Sequence, residues 1–238
     1  YVVSSMVRRI EIFDLGGAFI GRIQLEVPGQ YPFSNPNRIL VGDNMVIYVT
    51  YGLSDALIDS YAESGKHERT LLKRDTALVA PGVNVGNSSH IQFVDGGKAI
   101  LHFDYFSGLF TKVSLNGDVI LAFSAYDKRH AIAHDRVVSD MSAQNTKPVR
   151  PGVRVEDYEL WSASPCCEKN GNILALLLLR DKDTRQLIYV FSPDGLLKDV
   201  TPIDFINDNS IISMFASGER YFFISQENEI FYAERGAQ

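Results

Sequence analysis

The stretch "EIFDLGGAFIGRI", residues 11–23, reads as two β-strands on either side of a glycine turn. β-branched and aromatic residues flank Asp14-Leu15-Gly16-Gly17, and glycine supplies the positive φ that a tight hairpin turn requires. The same device returns three times. An aromatic or β-branched residue leads, four positions on, to glycine: Phe13 to Gly17, Tyr61 to Gly65, Val113 to Gly117 and Phe191 to Gly195. The stretches are "FDLGG", "YAESG", "VSLNG" and "FSPDG", each between strand-like runs, and their glycines lie 48, 52 and 78 residues apart. The first two spacings suit a blade of about 40–50 residues, and the third fits with roughly 30 residues inserted.

A second hairpin lies upstream of each of the later three. "RILVGDNMVIYVT" (38–50) is expected to turn at Gly42-Asp43-Asn44, "HIQFVDGGKAILHF" (90–103) at Asp95-Gly96-Gly97, and the segment from Leu160 to Leu179 near Asn170-Gly171. "IISMFASGERYFFIS" (211–225) adds another at Ser217-Gly218. Laid end to end, the hairpins give strands a, b, c and d in units of about 1–25, 38–73, 90–124, 157–201 and 210–236, with a long insertion at 125–156. The first unit lacks strand a and the last lacks d, so 18 strands are expected. One meandering sheet cannot bury both faces, whereas sheets stacked face to face can. The expected fold class is therefore all-β, a β-propeller of four-stranded antiparallel blades forming a single domain over 1–238. The ragged ends lead us to expect a chain cut from a six-bladed protein; a five-unit ring is the alternative, and a β-sandwich would not generate the glycine repeat.

Composition agrees with a globular β-protein: 45% apolar and 22% charged residues, with 14 Phe and 11 Tyr against one Trp. The formal charge of −6 argues against a dedicated nucleic-acid surface. No apolar run approaches the roughly 20 residues that cross a bilayer as a helix. The longest, "ILALLLL" at 173–179, has the length of a strand buried on both faces. No signal peptide is visible, but the chain begins inside an apolar run without an initiator Met. Cys166 and Cys167 are adjacent and read as two thiols in a turn, since a disulfide between neighbours requires a strained ring.

"RRIEIFDLGGAFIGRI" (8–23) resembles the NHL-type repeat, in which an apolar strand, "hxVFD", a glycine turn and a further strand succeed one another, and "VPGQYPFSNPNRI" (27–39) resembles the Pro- and Gly-rich connection that follows. The resemblance is good for the first unit, fair for 187–200 and loose elsewhere. It implies architecture and no particular site. NHL-like propellers mostly bind proteins, RNA or other ligands; some relatives are metal-dependent lyases or lactonases, and others are exported, which implies an extracytoplasmic location.

In an up-and-down blade the a–b and c–d turns share one rim, and the b–c loops and inter-blade connections share the other. The first rim carries short, Gly-rich turns; the second carries the long connections 26–37, 74–89, 125–156 and 202–209, and there we place a binding site. Residues 124–154 hold Lys128, Arg129, Arg136, Lys147, Arg150 and Arg154 against Asp127, Asp135 and Asp140, a net +3 on a remainder of −9. Such a segment either attracts an anionic ligand or acidic partner, or is a solvated loop. Within it His130 and His134 stand one helical turn apart, as metal ligands can, but the glutamate of the zinc-protease helix is absent: Ala131 follows His130. Candidate ligand-binding residues are Arg129, His130, His134, Arg136, Tyr105, Phe106 and Tyr51, aromatic and Arg side chains being the types that dominate binding hot spots. Tyr51 is expected in a b–c loop, or folded inward between blades. His102 in "AILHFD" reads as a packed core histidine, with His90 at a strand edge and His67 in a turn.

No catalytic residue, metal site or cofactor is assigned, for neither a nucleophile elbow nor a phosphate-binding glycine loop is present. Two functions remain: a binding or scaffolding module for a protein or polymer partner, or a metal-dependent lyase or lactonase with its site at the mouth of a central channel.

Overall fold

The structure, a computed structural model, describes residues 1–4, 8–26, 36–51, 56–73, 89–104, 108–125, 161–178, 186–203, 211–217, 220–225 and 229–234. These hold eighteen β-strands and a single 3₁₀ turn at Asp95–Gly97. Among them, one compact unit comprises 1–104 and 112–120, and a second comprises 108–111, 121–125 and 161–234.

In the first unit, sheet 1 consists of β1 (Val2–Ser4), β2 (Arg9–Phe13) and β3 (Phe19–Gln24), and sheet 2 of β4 (Pro36–Val41), β5 (Ile47–Tyr51), β6 (Ala56–Tyr61) and β7 (His67–Lys73). Sheet 3 consists of β8 (Ser89–Val94), β9 (Ala99–Asp104), β10 (Leu109–Ser114) and β11 (Val119–Ser124). Each strand is next to its sequence neighbour, the meander that a chain of hairpins produces.

Side-chain alternation then decides the stacking. In β5 every residue is buried: Ile47, Val49 and Tyr51 join Ile10, Ile23 and Leu25 of the sheet 1 side, while Tyr48 points the other way. Tyr48, Ile58 and Leu71 form the next layer with Ile91, Ile100 and Val113 of sheet 3. A strand buried on both faces reads as a continuous apolar run, and "IYVTY" does.

The second unit repeats the plan. Sheet 4 is β12 (Trp161–Cys167), β13 (Ile173–Leu178), β14 (Gln186–Phe191) and β15 (Leu197–Ile203); sheet 5 is β16 (Ile211–Ser217), β17 (Arg220–Ser225) and β18 (Ile230–Glu234). Cys166, Leu174, Leu176, Ile188 and Val190 pack against Met214, Tyr221 and Phe223. On the other face of β14, Phe191 meets Phe110 and Phe123, whose rings stack on each other at 4.9 Å.

Six turns share one hydrogen-bond pattern. At Asp14–Ala18, Gly42–Val46, Ala62–Lys66, Ser114–Asp118, Glu168–Asn172 and Ser192–Leu196, the first N–H donates to the fifth carbonyl and the fourth N–H to the first. This is a type I turn closed by a left-handed residue, the three-residue hairpin connection. The fourth residue has φ of 82–94° at Gly17, Gly65, Gly117, Gly171 and Gly195. The remaining turn differs from expectation: its left-handed residue is Met45 (φ 61°), and Gly42 only opens the turn.

Two further corrections concern sheet 4. Cys166 and Cys167 are free thiols in strand β12 and not in the turn, which begins at Glu168. Sheets 4 and 5 are also not wholly separate: a single parallel bridge between Ser164 and Ser213 links β12 to β16, making seven hydrogen-bonded strands in a row. The first strands of these consecutive sheets run side by side in the same direction, which lets one bridge form.

Candidate functional site

Of the residues singled out from sequence, Arg129, His130, His134, Arg136, Tyr105 and Phe106 lie outside the described residues. Tyr51 is the last residue of β5 and only 1% exposed. It belongs to a buried polar cluster in sheet 2.

Strand register assembles that cluster. Val49 pairs with Asp59, Asp59 with Thr70, and Tyr61 with both Ile47 and His67, so these side chains share one face of the sheet. The Tyr51 and Tyr61 hydroxyls are 2.5 Å apart. Asp59, 3% exposed, accepts a hydrogen bond from Thr70 Oγ1 at 2.6 Å, and His67 Nε2 lies 3.4 Å from the same oxygen. The His67 ring meets Tyr61 edge-on at 5.3 Å. Burial raises the pKa of both tyrosines well above the ordinary phenol value, so they stay neutral and serve only as hydrogen-bonding groups. A buried carboxylate with one hydroxyl donor and an adjacent imidazole is a cross-strand tie first, since an unpaired buried charge is costly.

A second cluster surrounds β8. His90 is pushed down to about 4, by burial first and then by the charge of Arg38, so its imidazole is neutral near pH 7. His90 Nδ1 and Ser89 Oγ are buried, and among the described residues neither has a hydrogen-bond partner. His102 is 1% exposed in β9, opposite Ile91. Among the described residues, no three His, Cys, Asp or Glu side chains converge as metal ligands, and no helix is long and apolar enough to cross a membrane.

Sequence reasoning passed over Asp59, Thr70, Ser89 and the environments of His67 and His90. One signal was legible: Asp59 is the acidic residue in "ALIDSY", a run otherwise fit for a buried strand. His67 begins β7 and is not in the preceding turn.

No protein-family model matches the sequence, and a search of curated proteins gives no match. Solved structures do resemble the fold. A catalytically inactive virginiamycin B lyase from Staphylococcus aureus, with quinupristin, is similar at a TM-score of 0.52 and 12% identity, over 98% of this chain and 65% of that one. A 6-phosphogluconolactonase, described as putative, from Bacteroides uniformis gives 0.52 and 14%, over 99% and 66%. A protein from Lactobacillus plantarum gives 0.56 and 10%, over 99% and 63%. The chain thus spans just under two thirds of the length of each. Identities this low establish fold alone, and the fold is that of an all-β propeller built from four-stranded antiparallel blades.

Proposed function

We propose that this chain is a binding or scaffolding propeller of the NHL-like, six-bladed kind, a single domain that engages a protein or polymer partner through the loops between its sheets. The supporting observation is the contrast between the two ends of each sheet. At one end, six of the a–b and c–d turns are short and closed by paired backbone hydrogen bonds. The connections between consecutive sheets, 27–35, 74–88, 126–160 and 204–210, are longer in sequence than those turns, and long connections are where binding residues concentrate. In sheet 2 the buried Asp59 carboxylate is engaged within the scaffold by Thr70. The test replaces Arg129 and Arg136 by Glu and uses the chain as bait. Partner recovery is expected to fall, with stability changed by less than about 0.5 kcal/mol; unchanged recovery removes the insertion from the interface.

The second reading, a metal-dependent lyase or lactonase, draws on the names of two structural neighbours. It predicts stoichiometric metal in the purified protein, and less than about one-tenth of an equivalent excludes it.

A further inference from the structure

Two turns carry the dipeptide Asn-Gly at matching places: Asn116-Gly117 between β10 and β11, and Asn170-Gly171 between β12 and β13. Both asparagines are exposed, and both turns are closed alike. Gly117 N–H donates to the Ser114 carbonyl at 3.0 Å, and Gly171 N–H to the Glu168 carbonyl at 2.9 Å. The side chains are held differently. In each turn the last residue also donates its N–H to a side-chain oxygen of the loop. In the second turn that oxygen is Asn170 Oδ1, 2.9 Å from Asn172 N. Asn172 is fixed in turn, its Nδ2 donating to Glu168 Oε2 at 2.8 Å and its Oδ1 accepting from Lys198 Nζ at 3.0 Å. In the first turn the oxygen is Ser114 Oγ, which accepts from Asp118 N and Asn116 N, each at 3.1 Å. Serine at the first position thus does the work that ties down Asn170, and Ser192 serves Leu196 N in the same way at 3.0 Å. Among the described residues, the Asn116 side chain has no hydrogen-bond partner, and its amide is free to rotate.

Rotation matters because an asparagine amide carbon can be brought to the backbone nitrogen of the next residue, and glycine places no Cβ in the way. We propose that Asn116 is a self-modification site. The Gly117 nitrogen gives up its proton and attacks Asn116 Cγ. The new N–Cγ bond closes a succinimide ring as the Cγ–Nδ2 bond breaks, and the proton leaves on ammonia. Water then adds to one of the two ring carbonyls, and opening yields aspartate or isoaspartate at 116. Nothing is oxidised or reduced, and water is the only co-reactant.

The product acts on the contact between sheets 2 and 3. Arg69 Nη2, from β7, donates to the Leu115 carbonyl at 2.8 Å, and a Cβ on Gly117 would lie 3.3 Å from the Leu71 carbonyl oxygen, so the turn is seated on β7. Isoaspartate lengthens the main chain by a methylene inside that turn, and its closing hydrogen bonds and the Arg69 contact cannot all keep their geometry. Aspartate only adds a charge beside Asp118. The site shares no residue with the loop-face reading, so each stands or falls separately.

The test incubates the intact chain at mildly alkaline pH and follows both asparagines by peptide mapping and mass spectrometry, with a urea-unfolded sample as reference. The ratio of conversion at Asn116 to conversion at Asn170 is expected to be about fivefold higher in the folded chain than in the unfolded one, the factor that one side-chain hydrogen bond supplies. Converted chains, separated by charge, should exchange the Gly117 and Asp118 amide protons faster than the variant Asn116→Asp, which has the charge without the added methylene. Equal ratios in the folded and unfolded chains overturn the proposal, as does an Asn116 amide that persists while the unfolded chain converts. Exchange in the converted chains no faster than in Asn116→Asp also overturns it, by removing the effect on the turn.

Discussion

Sheets 2 and 5 are built from the same materials and end differently. Both present apolar side chains on both faces, but sheet 2 has a layer on each side, whereas among the described residues sheet 5 packs on sheet 4 alone and leaves Phe215, Ile230 and Tyr232 exposed. The turns show the same split. Gly17 and Gly65 occupy equivalent places in equivalent turns with nearly equal φ, 84° and 83°. A Cβ on Gly17 would meet nothing within 4 Å, while one on Gly65 would lie 2.0 Å from the Gln24 carbonyl oxygen in the chain leaving sheet 1. Glu26 N–H donates to the Gly65 carbonyl at 2.9 Å, so the turn is stitched to its neighbour. Local sequence creates the turn, and the neighbouring sheet decides how much depends on it.

The largest expected effect breaks this comparison at the glycines. Gly65→Ala meets both the left-handed backbone and an immovable carbonyl and should cost about 4 kcal/mol. Gly17→Ala meets only the backbone term and should cost about 1 kcal/mol. Urea unfolding measures both, and equal losses would mean that the neighbouring sheet contributes nothing.

Next come the c strands. Ile58→Ala, in a position with no exposure, should cost about 3 kcal/mol. Ile230→Ala, at 70% exposure, should stay within about 0.5 kcal/mol. A large loss at Ile230 would show that the outer face of sheet 5 is packed in solution.

The smallest effect sharpens the cost of covering a titratable group. His90 has its folded pKa lowered from 6.5 to about 4. The unfolded chain therefore takes up a proton first as pH falls. Its contribution is fully present above about pH 6.5 and is lost progressively down to about pH 4, amounting to about 2 kcal/mol after allowance for partial exposure. The slope of stability against pH should flatten across that window in His90→Gln, and an unchanged slope would assign it to other groups.

Much of this was readable from residues alone. Type I turns with a left-handed fourth position are local, so "FDLGG", "YAESG", "VSLNG" and "FSPDG" announce themselves, and apolar alternation marks the strands between them. Met45 escaped notice because a non-glycine residue can be held left-handed by the two hydrogen bonds that close its turn, and composition does not display that. The Asp59 cluster was equally opaque: its partners come from β5, β6 and β7, and only register brings them together.

Sequence by itself thus determined the hairpins, their order and the all-β class, because turn chemistry and a two-residue period act over a few positions. Tertiary structure alone decided which glycine is wedged against a neighbour, which cysteine is buried in β12, and that Ser164 and Ser213 bridge two sheets. It also decided that, among the described residues, Phe215 and Tyr232 stay exposed while Tyr51, Tyr61 and Phe110 are buried. Burial and close approach depend on what arrives from elsewhere in the chain, and no short stretch of residues encodes its distant neighbour.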